Sequence, residues 1–107
     1  MNAPPNKRLE MLEKLASSPD ADSFARYGLA MEYRKAGRIE DALAAFERLR
    51  AADAGYVPMY LMAGQMLLDA ERTDAAREWL RAGLEVATAK GDSKAKNELA
   101  QALALAD

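Results

Sequence analysis

Two residue types, cysteine and histidine, are missing from this chain of 107 residues. Without cysteine the chain can form no disulfide and can carry out no thiolate chemistry. Without either residue the usual Cys/His zinc sites are excluded, and so is histidine, the commonest general base. We therefore expect no metal and no cofactor.

Long apolar runs are also missing. No stretch of about 18 apolar residues occurs, so we expect no membrane insertion. The first residues, MNAPPNKRLEMLEKL, lack the apolar core of a secretory signal peptide. These features predict a cytoplasmic protein.

Neither sign of charge dominates the chain. There are 15 Lys and Arg residues against 17 Asp and Glu residues, which gives a net charge of −2. The basic residues are spread without a run of five, whereas nucleic-acid binding needs a basic face that neutralises phosphates. We therefore expect no nucleic-acid partner.

Helix-forming residues are abundant, while aromatic residues make up only 7% of the chain. Apolar residues recur three and four apart, which predicts an all-α protein of about six helices and no strand. Asp20 is the predicted N-cap of the second helix, and Gly37 is predicted to end it. The predicted helices cover residues 6–17, 21–36, 39–53, 57–70, 73–89 and 93–106, after a disordered tail at residues 1–5.

The chain contains an internal repeat. Residues 23–56 align with residues 57–90, so that Ala42 falls on Ala76 and Phe46 falls on Leu80. A period of this length indicates stacked helical units rather than a single closed fold. Because short loops make neighbouring helices antiparallel, we expect helices two and three to form one hairpin and helices four and five a second.

The small and large positions of these hairpins resemble those of the tetratricopeptide repeat. The first hairpin matches with Leu29, Ala30, Tyr33, Gly37, Ala42, Phe46 and Leu49, and the second with Tyr60, Ala63, Gly64, Leu67, Ala76 and Leu80. The resemblance implies a small, stand-alone bacterial protein whose hairpins stack as a short right-handed α-solenoid. It departs from the family pattern at Glu71, which stands where Gly37 stands in the first hairpin.

The implied organisation is a single domain over residues 1–107. Repeat 1 covers residues 21–54, repeat 2 covers residues 57–90, and a capping helix covers residues 92–106. Residues 6–17 form either an N-terminal helix or the second half of an incomplete leading repeat.

The resemblance also implies a non-enzymatic adaptor, scaffold or chaperone-like module that binds a peptide or helix of a partner protein in a concave groove. By position, the groove residues are Phe24, Tyr27, Met31, Arg34, Lys35, Leu61, Gln65 and Leu68, with Ala95 and Leu99 on the last helix. Arg34 and Lys35 would give this apolar groove a basic rim. Such a rim favours a partner that carries acidic residues beside an apolar stretch.

Two structural alternatives stand beside groove binding. Tyr27 and Phe24 would pack against the first helix if residues 6–17 fill the groove. The chain would instead homodimerise if a symmetric contact through Leu99 and Leu103 buries the groove or the last helix. The methionines of helix four and Trp79 are interpreted as core residues rather than as a binding surface.

Catalysis is not expected. The acidic residues near helix ends fit N-caps and solvated turns, and the sequence has no phosphate-binding glycine loop, nucleophile elbow or metal motif. These acidic residues are Glu40, Asp41, Asp69, Glu71 and Asp74.

Overall fold

The computed structural model describes residues 6–106, which form six helices and no strand. The helices are α1 (Lys7–Ser17), α2 (Ser23–Lys35), α3 (Ile39–Ala52), α4 (Val57–Asp69), α5 (Thr73–Lys90) and α6 (Ser93–Ala106). The all-α prediction is confirmed, and the helix ends lie close to the predicted ones. The predicted disordered tail at residues 1–5 lies outside the described residues. Among the described helices, none is long and apolar enough to cross a membrane.

Aspartate and asparagine side chains begin three of the helices. Asn6 accepts a hydrogen bond from the Leu9 amide at 3.0 Å, and Asp92 accepts one from the Ala95 amide at 3.1 Å. Each bond satisfies an amide that has no partner within its helix.

The N-cap of α2 is Asp22, so the prediction of Asp20 is wrong. Asp22 accepts a hydrogen bond from the Ala25 amide at 2.7 Å. The amides of Asp20 and Ala21 instead bond to Ser18, at its hydroxyl and its carbonyl oxygen respectively. Because this local turn takes up the residues before Asp22, the helix begins later than its sequence pattern predicts.

The C-terminal ends of α2 and α4 form the same turn at equivalent positions of the two hairpins. The Gly37 amide bonds to the Arg34 carbonyl and the Arg38 amide to the Tyr33 carbonyl, a Schellman motif. At the end of α4 the corresponding donors are Glu71 and Arg72. Gly37 has a φ of 75° and Glu71 a φ of 61°, so a glutamate adopts the left-handed conformation that glycine adopts in the first hairpin.

The chain divides into two compact units, which we call the first unit (Met1–Ala52) and the second unit (Asp53–Asp107). In the first unit α2 packs against both α1 and α3. The fully buried residues there include the predicted Ala42, Phe46 and Leu49. In the second unit α4 packs against α5, and α6 packs against both.

Close helix packing in the second unit requires small residues. A Cβ atom at Gly64 would collide with the Leu80 side chain, and one at Gly83 would collide with Tyr60 and lie 3.0 Å from Leu99 Cδ2. Ala76 is fully buried as well. Gly64 therefore allows α4 and α5 to approach closely.

The second unit also uses the methionines and the tryptophan in its core. Met59 and Met66 are buried, Met62 is half-buried, and Trp79 is buried with its ring centroid 6.0 Å from that of Tyr60. The Tyr60 hydroxyl donates to the Ala54 carbonyl at 2.5 Å, which satisfies its polar end. The interpretation of these residues as core is confirmed for Met59, Met66 and Trp79, whereas Met62 lies at the edge of the core.

Candidate protein-binding surface

The first unit carries an apolar cavity of about 800 Å³, which we call the α1/α2 cavity after the helices that line it. Four of the five predicted groove residues of α2 line it: Phe24, Tyr27, Met31 and Lys35. They are spaced three or four apart, so they share one face of the helix. Arg34 is half-buried and is not among the lining residues.

The lining contributed by α1 comes from Arg8, Leu12 and Leu15, of which the two leucines are apolar. Leu12 is buried beside α2, where a Cβ atom at Gly28 would lie 3.4 Å from Leu12 Cδ2. Leu15 remains 52% exposed, and Phe24 of α2 is 75% exposed. Since exposed large apolar side chains here share one concave surface, this surface is a candidate for binding a partner.

Opposite charges lie at the two ends of the α1/α2 cavity. Lys35 lines it at the C-terminal end of α2, where Arg8 of α1 forms an ion pair with Glu32 at 3.2 Å. Asp20 and Asp22 line it at the N-terminal end of α2. The 13 residues of α2 hold these ends roughly 20 Å apart, since a helix rises about 1.5 Å per residue.

The second unit carries a separate cavity of about 310 Å³, lined by α4 and α6. Leu61 lines it together with Pro58, Ala95 and Leu99. Leu61 is the repeat equivalent of Tyr27, so equivalent faces of α4 and α2 line the two cavities. The predicted Gln65 and Leu68 are half-buried and are not among the residues that line it.

The leucines predicted for self-association occupy different environments. Leu99 is fully buried, so it contributes to the core of the second unit and offers no surface to a second copy. Leu103 is half-buried, whereas Leu105 is 82% exposed. The prediction of Leu99 as a surface contact is wrong because α4 and α5 both pack against α6.

Leu15 belongs to the candidate surface, although the sequence places it on the apolar face of the first helix and not among the predicted groove residues. It lies at the edge of the apolar stripe formed by Leu9, Leu12 and Ala16 on α1. This offset is the signal that could have predicted its partial exposure.

A third cavity of about 440 Å³ lies in the first unit and includes Glu13, Tyr33 and Arg26 in its lining. The Tyr33 hydroxyl donates to Glu13 Oε2 at 2.5 Å, which links α2 to α1. Burial raises the pKa of Tyr33 above its ordinary value, and the hydrogen bond to Glu13 raises it further. Tyr33 is therefore a neutral donor at physiological pH.

Two of the acidic residues near helix ends form surface ion pairs. Asp41 accepts a hydrogen bond from Arg38 at 2.8 Å, and Asp74 accepts one from Arg77 at 2.7 Å. Over residues 6–106, the acidic side chains form no group of three or more that could hold a metal ion.

Comparison with protein families matches the tetratricopeptide repeat over residues 33–97. Comparison with curated proteins gives no match.

Solved structures of a tetratricopeptide repeat domain protein from Salinibacter ruber are similar to the chain. The crystal structure is 39% identical with a TM-score of 0.72, and the match covers 79% of this chain and 94% of the other. The solution NMR structure is 38% identical with a TM-score of 0.74, and the match covers 84% of this chain and 90% of the other.

A protein from Bordetella parapertussis shares the fold. It is 23% identical with a TM-score of 0.78, over 99% of this chain and 89% of the other. The family match, the Salinibacter relative and the matching turns of the two hairpins agree. The chain belongs to the tetratricopeptide repeat family.

Proposed function

We propose that this chain is a non-enzymatic protein-interaction module that binds a peptide or helix of a partner protein in the α1/α2 cavity. Tetratricopeptide repeats generally mediate protein–protein interactions. The observation that carries the proposal is the 75% exposure of Phe24 on the concave surface that also holds Leu15. An adaptor, scaffold or chaperone-like role would follow from such binding.

Phe24 is the expected anchor because a large, rigid aromatic side chain gains much apolar contact at little cost in entropy. Lys35 supplies the basic rim, since it lines the cavity whereas Arg34 does not. A partner with acidic residues beside an apolar stretch suits this surface.

The test is affinity capture from cell extract with the tagged chain, its Phe24→Ala variant and a Met11→Ala control. Met11 is a matched control because it is another exposed large apolar residue, at 52%, and does not line the α1/α2 cavity. We expect both variants to melt at the temperature of the parent chain, and only Phe24→Ala to lose the captured protein. Capture that survives Phe24→Ala would contradict the proposal.

Self-association through α6 is the second candidate function, favoured by the 82% exposure of Leu105. The half-buried Leu103 lies two residues away and therefore on a different face of the helix. A homodimer through the face that carries Leu105 would make the chain a structural module. Light scattering over a dilution series tests it, because a monomer at every concentration rules out the dimer.

The cytoplasmic location stays a prediction from the sequence.

A further inference from the structure

We propose that the occupant of the α1/α2 cavity is an amphipathic helix of a partner protein that carries an acidic residue at one end of its apolar stripe and a basic residue at the other. The inference rests on the proposed function and specifies the chemistry of the partner.

The shape of the lining favours a helix over an extended segment. Phe24, Tyr27 and Met31 follow one another along α2 at helical spacing, with Leu12 and Leu15 of α1 beside them. An extended peptide would place unpaired backbone N–H and C=O groups against these apolar side chains, which costs free energy. A helix satisfies its backbone internally and presents side chains three and four apart to the cavity.

The charges at the cavity ends set the polarity of the partner. The end near Lys35 also holds the Arg8–Glu32 pair, so its net charge is positive. The end near Asp20 and Asp22 is negative. The roughly 20 Å between the ends exceeds the Debye length of about 8 Å at physiological salt, so each end acts on its own part of the partner.

The partner therefore needs opposite charges about 12 to 14 residues apart, since a helix rises about 1.5 Å per residue. A helix with acidic residues at both ends would meet Asp20 and Asp22 unfavourably. A helix with basic residues at both ends would meet Lys35 unfavourably. Repulsion between like charges weakens the binding of these two helices, so the charges provide specificity rather than affinity.

The test uses three synthetic peptides that share one leucine stripe at helical spacing and differ only in their end charges. The first carries glutamates at one end and lysines at the other, the second glutamates at both ends, and the third lysines at both ends. Dissociation constants are measured by fluorescence anisotropy at low and at high salt. We expect the first peptide to bind about threefold to tenfold tighter than the other two, and the preference to shrink as salt rises.

A charge reversal in the chain sharpens the test. Lys35→Glu makes both ends of the cavity acidic, so the peptide with lysines at both ends should become the tightest binder. Lys96→Glu is the matched control, because Lys96 is an exposed lysine on α6 that does not line the α1/α2 cavity. It should leave the order of the three peptides unchanged.

The outcomes separate this inference from the proposed function. Equal affinity for the three peptides, all of it lost in Phe24→Ala, would overturn the charge polarity and leave groove binding intact. Absence of saturable binding by every peptide would overturn the helical occupant, whereas capture of a partner that depends on Phe24 would still support the proposed function. A dimer in sedimentation that Phe24→Ala dissociates would overturn the inference, because a second copy would then fill the cavity.

Discussion

Glu71 shows, on the scale of a single residue, a conflict between side chain and backbone. Its φ of 61° is left-handed, and the turn it forms is the one that Gly37 forms at the equivalent position of the first hairpin. A residue with a Cβ atom pays about 1–2 kcal/mol for this conformation, whereas glycine adopts it freely. The turn at the end of α4 is thus less stable with glutamate at position 71 than it would be with glycine.

Glu71→Gly should therefore raise the free energy of unfolding by about 1 kcal/mol, once the greater freedom of glycine in the unfolded chain is allowed for. Gly37→Ala should lower it by a similar amount. No atom lies within 4 Å of a Cβ at Gly37, so only the backbone conformation is tested there. Urea titration followed by circular dichroism measures both variants, and a loss of stability in Glu71→Gly would contradict the argument.

The contribution of Tyr33 to the free energy of unfolding depends on pH. Burial and the hydrogen bond to Glu13 raise the pKa of Tyr33 above its ordinary value of 10.0. Because the folded chain holds the phenol proton more tightly than the unfolded chain, this stabilisation is complete below pH 10 and is lost as the pH rises through the folded pKa.

Tyr33→Phe should cost about 1 kcal/mol at neutral pH, since it removes the hydrogen bond and keeps the buried ring. The difference between the two proteins should then shrink above the ordinary tyrosine pKa. Denaturant unfolding at a series of pH values measures it, and a difference that stays constant into the alkaline range would refute the assignment.

The start of α2 is decided on the scale of one helix. Both Asp20 and Asp22 are suitable N-cap residues by type, yet the Asp22 carboxylate is the one that accepts the Ala25 amide. The turn at Ser18, in which the Ala21 amide bonds to the Ser18 carbonyl at 3.0 Å, determines this choice. Apolar periodicity alone does not report such a turn.

Asp22→Ala should therefore destabilise the chain by about 1 kcal/mol, the typical cost of losing an N-cap. Asp20→Ala is the matched control and should change stability by less than about 0.5 kcal/mol, as exposed substitutions usually do. Thermal unfolding of both variants compares them directly. Equal losses would show that the helix begins elsewhere.

On the scale of the whole molecule, tertiary packing places one leucine of α6 in the core and another on the surface. Leu99 is fully buried and Leu105 is 82% exposed, although both are leucines on the same helix. Leu99 continues the spacing that leads to Ala102 and Ala106, all of which are buried, while Leu105 lies off that stripe.

Leu99→Ala should cost about 2–5 kcal/mol, because it leaves a cavity in the second unit. Leu105→Ala should change stability by less than about 0.5 kcal/mol. Chemical denaturation gives both values. If Leu105→Ala lowered stability in a concentration-dependent way, the exposed leucine would belong to an interface between copies.

The sequence by itself determined the six helices, the internal repeat and the family. These features depend on local spacing, since apolar periodicity and small residues such as Ala42 and Gly64 can be read along one helix at a time. Only the tertiary structure decided that Asp22 caps α2, that Leu99 is core, and that Leu15 joins Phe24 in one cavity. The exposure of a side chain depends on which other helices pack against its own, and that packing involves residues distant in the sequence.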